Sequence, residues 1–161
     1  MEISQGSARA LTEQYFDSFN RGEFDQTARL FAQAGQILPP FEAATVGREN
    51  IARYLEKKAK NMVANPEQWT FYQEEPGQWQ IEVGGKVQAI VFQVNVIWQF
   101  AVTCSGQIGS ARITLVASPK ELLSLRASKK ETSSDKSLKA LKEENVRSRT
   151  GSPAKSPAIA Q

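Results

Sequence analysis

Val94–Phe100 reads V-N-V-I-W-Q-F. Its strict alternation puts Val94, Val96, Trp98 and Phe100 on one face of a strand, with Gln93, Asn95 and Gln99 on the other. An indole on the apolar face carries one N–H donor into a greasy interior, where it needs an acceptor from the protein or from a ligand. Period-two patterning extends to both sides of this strand. Upstream, Trp79, Ile81 and Val83 alternate with Gln80 and Glu82, Gly84-Gly85 reads as a bulge or sharp bend, and Lys86–Phe92 reads as continuing strand. Downstream, T-C-S-G at 103–106 reads as a hairpin turn. Residues 107–117 then return with Ala111, Ile113 and Leu115 on one face and Arg112 and Thr114 on the other. Ser118-Pro119 is an N-cap followed by a first-turn proline, so a last short helix is expected to begin there.

The first half of the chain has a helical period. Ala8, Leu11, Tyr15 and Phe19 form one stripe of a helix over 7–20 that Arg21-Gly22 ends. A second helix is expected over 24–33, burying Phe24, Ala28 and Phe31. Q-I-L-P-P-F at 36–41, stopped by Pro39-Pro40, reads as an edge strand or a strand end. A third helix is expected over 46–62, with Ile51, Leu55 and Met62 near one face. Helices first and a long antiparallel meander afterwards is an α+β pattern. A curved sheet wrapped around helices makes a cone with an apolar interior, which suits a small-molecule pocket.

Composition narrows the chemistry. The 161 residues contain no histidine and one cysteine. That excludes histidine-based acid–base catalysis, Ser-His and Cys-His nucleophiles, and zinc sites built from His and Cys. Cys104 has no internal disulfide partner; in an exposed turn it is a candidate for an intermolecular disulfide. No apolar run has the length of a membrane span and the start M-E-I-S-Q-G is unlike a signal peptide, so a cytoplasmic protein is expected.

Composition also divides the chain, into a body over 1–126 and a tail over 127–161. The tail has no aromatic residue and carries eight Lys/Arg against four Asp/Glu, whereas the body carries twelve against thirteen. The basic balance therefore belongs to the tail. It reads as a solvated segment with a short helical stretch at 135–147, or as a basic segment that touches anionic lipid or an acidic partner. A basic segment without aromatic platforms does not read as a nucleic-acid binder.

Y-F-D-S-F-N-R-G-E-F-D at 15–25, P-P-F at 39–41 and V-G-R-E-N-I-A-R-Y-L at 46–55 together resemble the opening of a nuclear transport factor 2-like domain. With G-K-V-Q at 85–88, N-V-I-W-Q-F at 95–100 and A-S-P-K-E-L-L at 117–123, the likeness narrows to the C-terminal domain of the cyanobacterial orange carotenoid protein and its free-standing homologues. It covers about residues 8–126. The resemblance implies a ketocarotenoid carrier of the canthaxanthin or echinenone type, in which Tyr15 and Trp98 donate hydrogen bonds to the ring carbonyl. It further implies walls formed by Ile37, Leu55, Ala59, Met62, Val91, Phe92, Val94, Ile113 and Leu115. Val91 stands where the family's full-length protein has a second tryptophan, and Lys58-Ala59 where it has a Glu-Cys pair.

One cone shelters part of a long polyene, so the resemblance implies a homodimer, with helical carotenoid proteins as transfer partners. Photoprotection and singlet-oxygen quenching would follow, in the cytoplasm or at the thylakoid surface. Gln93, Asn95, Ile97 and Gln99 offer a flat mixed face for dimerisation, with or without pigment. The superfamily also holds ketosteroid isomerases and polyketide cyclases. Their pocket base has no counterpart here, because Pro39-Pro40 occupy its expected place and residues 88–117 contain no Asp or Glu. A donor without a base holds a ketone and does not enolise it.

Overall fold

The computed structural model describes residues 3–117. The basic tail and the helix expected from Ser118 lie outside the described residues. Among the described residues three helices, α1 (Gln5–Asn20), α2 (Phe24–Arg29) and α3 (Arg48–Lys58), accompany one six-stranded sheet. Its strands are β1 (Phe31–Leu38), β2 (Thr45–Val46), β3 (Val63–Glu75), β4 (Gln78–Gln88), β5 (Gln93–Val102) and β6 (Ile108–Val116), in the order β2-β1-β6-β5-β4-β3. β3 to β6 form an antiparallel meander, and β1 joins β6 in parallel. No described helix is long and apolar enough to cross a membrane.

Local chemistry explains the element ends. Ser4 caps α1 by accepting from the Ser7 N–H at 3.1 Å, and Gly22, at φ 73°, takes the left-handed conformation just past its end. Of the α1 stripe, Ala8, Tyr15 and Phe19 are buried and Leu11 is half-buried, and Thr12, Phe16 and Ser18 widen it. Asn20 fixes the end of α1 to the sheet: its amide donates to the Ala64 carbonyl at 2.9 Å and accepts from the Ala64 N–H at 2.7 Å. Asn20 thereby supplies both ladder bonds that Ala64 would otherwise take from a strand.

The sheet's inner face is built in rows. Phe71, Ile81, Phe100, Ala111 and Ile37 stand opposite one another across five strands, and Trp69, Val83, Trp98 and Ile113 form the next row. The alternation of β5 holds, with Val96, Trp98 and Phe100 all buried.

Six expectations are corrected. The second helix stops at Arg29, and Phe31 begins β1, because its backbone pairs with Ile108 of β6. β1 accordingly spans 31–38 and is flanked on both sides, by β2 and β6, so of the two readings of 36–41 the structure has the strand end and not the edge strand. α3 covers 48–58, leaving Met62 in the connection to β3. β4 ends at Gln88, and the Ala89 N–H closes a turn onto the Phe92 carbonyl at 2.8 Å, so 89–92 is not strand. Ile97 is buried rather than presented on an open outer face. Gly84-Gly85 keep β4 regular; the irregularity lies opposite them in β3, where Glu67 is the extra residue between Pro66 and Gln68.

Candidate ligand-binding site

Tyr15 and Phe16 sit side by side on α1 and face different neighbours. The Tyr15 ring meets Phe100 at 5.0 Å, Phe16 at 5.3 Å, Phe19 at 6.1 Å and Phe31 at 6.2 Å between centroids. Phe16 meets Trp98 edge-on at 4.8 Å and Trp69 at 6.0 Å. Phe16 therefore links the two sequence-expected donors in one aromatic cluster. Sequence reasoning missed it because its position lies beside, rather than on, the stripe that contains Tyr15.

Tyr15 is 1% exposed, and its hydroxyl is the buried side-chain polar atom that has no hydrogen-bond partner among the described residues. Leaving a buried hydroxyl unpaired costs about 1–3 kcal/mol. Most side chains in such a core find a partner: Ser18 and Thr27 share a 2.6 Å bond, and Thr12 donates to the Ala8 carbonyl at 2.9 Å. Trp79 donates to the Ile3 carbonyl at 2.9 Å, and Trp98 is buried in the row between Val83 and Ile113 with no side-chain hydrogen bond to a described residue, although the unpartnered buried hydroxyl is that of Tyr15.

Burial pushes the Tyr15 phenol well above its ordinary value of 10.0, and the half-buried Tyr54 of α3 adds to the effect. Tyr54 is itself raised, by burial and then by the Glu42 carboxylate. Tyr54 was not a sequence candidate, since its place on α3 falls off the Ile51–Leu55 face. The sign of the pH effect follows. An unfolded chain ionises Tyr15 from about pH 10 while the folded chain keeps it neutral, so folding stability is intact below pH 10 and falls as pH rises above it. Alkaline unfolding followed by far-UV circular dichroism is expected to flatten in Tyr15→Phe relative to the parent.

The expected walls divide into three groups. Ile37, Leu55 and Ala59 are buried, and Met62, Val94, Ile113 and Leu115 are half-buried against the core. Val91 and Phe92 are corrected: they are 85% and 52% exposed at the β4–β5 turn, because the chain reverses there instead of extending β4 inward. Cys104 is an exposed free thiol in the β5–β6 turn, as its sequence position suggested.

The described residues contain no group of three or more His, Cys, Asp or Glu that could hold a metal. Glu82 is their buried carboxylate, and alternation with Val83 puts it on the face opposite Trp98.

No protein-family model matches the chain. The orange carotenoid-binding protein of Limnospira maxima is 36% identical over 125 residues, which cover 75% of this chain and 39% of that protein. The structure of the Anabaena (Nostoc) orange carotenoid protein binding canthaxanthin superposes with a TM-score of 0.67 at 31% identity, over 77% of this chain and 40% of that one. A nuclear transport factor 2-like protein from Cytophaga hutchinsonii shares the fold, with a TM-score of 0.57 at 14% identity over 76% of this chain and 97% of its own. The chain thus spans about two fifths of the length of the curated relatives it matches. It is a homologue of the orange carotenoid proteins, matching their C-terminal domain, and has the nuclear transport factor 2-like α+β fold.

Proposed function

We propose that this chain is a ketocarotenoid carrier that holds a carbonyl-bearing end ring, of the canthaxanthin or echinenone type, against Tyr15 and Trp98. The observation that carries the reading is the buried, unpartnered Tyr15 hydroxyl in a homologue of carotenoid-binding proteins. A neutral ketone is the acceptor such a site favours. It accepts from a phenol and an indole without bringing a charge into an aromatic cluster, and a polyene packs against rings and aliphatics. Ile37, Leu55, Ala59, Met62, Val94, Ile113 and Leu115 supply apolar surface around the two donors, with the half-buried members grading from core to solvent.

The reading is one of binding rather than turnover. An enolising enzyme needs a carboxylate beside the ketone, and the buried Glu82 is on the wrong face for it. A carrier of this size shelters part of a long polyene. The loaded form is therefore proposed to be a homodimer, with Cys104 open to cross-linking, that exchanges pigment with helical carotenoid proteins in photoprotection.

The test is purification from cells making canthaxanthin or echinenone. A red-shifted visible band that travels with the protein is expected. Tyr15→Phe gives the sharper result because its two effects have opposite signs. Removing the unpaired hydroxyl is expected to leave the pigment-free protein as stable as the parent or stabilise it by about 1 kcal/mol, while retention of pigment drops about tenfold. Trp98→Phe is expected to keep the fold and shift the band or weaken retention. A colourless parent protein would overturn the reading in favour of a dimerisation module without pigment. Unchanged spectra and yields in both variants would remove these two residues from the site.

A further inference from the structure

The β4–β5 turn presents Ile90, Val91 and Phe92 in succession at 82%, 85% and 52% exposure. Three consecutive large apolar side chains held in water at the tip of a hairpin are unusual for a soluble surface, where exposed apolar residues are normally scattered. Val63, 42% exposed, stands beside them, because it pairs with Gln88 at the end of β4. No charged residue occurs between Lys86 and Arg112, so the turn and the strand that follows it bring no ionised group with them.

Cations lie just behind this tip. Lys57 and Lys58 end α3, Lys60 follows in the connection that runs into Val63, and Lys86 is two residues before the end of β4. Lys58, Lys60 and Lys86 approach Glu42, Glu56 and Glu67 at 3.9, 3.7 and 3.8 Å. Each pair is exposed and long, so the ammonium groups stay available to other anions. Lys57 makes no ion pair among the described residues. An apolar tip backed by lysines matches the layering of an anionic bilayer surface, with acyl chains beneath phosphates.

We propose that the β4–β5 turn is a membrane-docking tip that inserts Ile90, Val91 and Phe92 below the headgroups of an anionic lipid surface. A second copy of the chain fits the tip less well. A specific protein interface buries roughly 1,200–2,000 Å², which three turn side chains and Val63 do not supply, whereas lipid needs no matching shape. The proposal does not depend on pigment: the tip has the same composition whether or not the interior is loaded.

The experiment is flotation of the full chain with mixed phosphatidylcholine/phosphatidylglycerol vesicles, compared with pure phosphatidylcholine. The parent is expected to float with the mixed vesicles, and Val91→Glu to lose at least about tenfold in partitioning. Tyr72→Ser, which removes another exposed ring near the β3–β4 turn at the opposite end of β4, is expected to bind as the parent does. A polarity-sensitive dye reports insertion directly. Attached at Val91→Cys in a Cys104→Ser background it is expected to shift to the blue on vesicles. Attached to Cys104 of the parent, in the turn at the other end of β5, it is expected not to shift. No vesicle binding by the parent, undiminished binding of Val91→Glu, or a dye at 91 that stays in water would each overturn the proposal. If Val91→Glu instead lowers the apparent mass in sedimentation velocity and leaves vesicle binding intact, the tip is a contact between copies and the lipid assignment falls.

Discussion

Phe100→Ala is expected to cost about 3–5 kcal/mol, the range for truncating a fully buried aromatic side chain. Phe100 is 0% exposed in the middle of β5, between Ile81 and Ala111 of the neighbouring strands. Its ring also touches Tyr15 at 5.0 Å and Phe16 at 5.8 Å, so it is where helix and sheet meet. Single domains have total stabilities of roughly 5–15 kcal/mol. A loss of this size therefore moves the protein close to unfolding at room temperature. Urea titration followed by circular dichroism checks the value, with Phe41→Ala, at a 62% exposed ring, expected to cost almost nothing. A loss below about 1 kcal/mol for Phe100→Ala would mean that helix–sheet packing at this point is not a main source of stability.

Gly85→Ala is expected to be comparably damaging for a different reason. A Cβ at this position would stand 2.1 Å from the Asn65 carbonyl oxygen and 3.0 Å from the Pro66 Cα, both backbone atoms of the paired strand. The space is taken by the β3 bulge, whose extra residue Glu67 draws the backbone over Gly85. Overpacking against backbone costs about 3 kcal/mol or more, because no side chain can rotate away. The start of β3 cannot simply lift, since Ala64 is held by Asn20 from the other side. Thermal unfolding should show a large drop in midpoint, with loss of amide protection beginning at 63–68. Gly109→Ala, whose Cβ would meet its nearest atoms at 3.5 Å, is the matched control and is expected to be mild.

The parts of the fold that were legible in sequence are those where one local period decides the outcome. β5 is such a case: a face of Val, Val, Trp and Phe against Asn and Gln leaves one register, and the structure adopts it. Helix α1 is another, with its stripe and its Arg21-Gly22 stop. Phe31 was read as helical because A-R-L-F-A-Q consists mostly of helix-forming residues. Its pairing with Ile108, 77 positions further on, is a tertiary fact that no local window contains. Val91 and Phe92 failed in the opposite direction. Their β-branched and aromatic character suggested strand, and the turn that exposes them uses no glycine, proline or asparagine to announce itself.

The candidate site was legible as a choice of donors and illegible as a state of those donors. Tyr15 and Trp98 could be selected by face, but the absence of a partner for the Tyr15 hydroxyl depends on Phe16, Phe19, Phe31 and Phe100 closing around it. Tyr54 and Asn20 escaped notice because one lies off its helix stripe and the other acts by mimicking a strand backbone.

The parallel union of β1 with β6 also sets a timetable for the nascent chain. Residues 31–38 leave the ribosome early, yet the strand that completes their sheet is the last of the six to be made. Until Ile108–Val116 has emerged, Phe31 and Ile37 have no β6 backbone to pair with and the growing meander has an open flank. Contacts this remote in sequence form slowly, because a large loop must close before any of them contributes. A chain arrested near residue 105 is therefore expected to engage chaperones or aggregate, whereas one that has cleared the exit tunnel through residue 117 can close its sheet in one step.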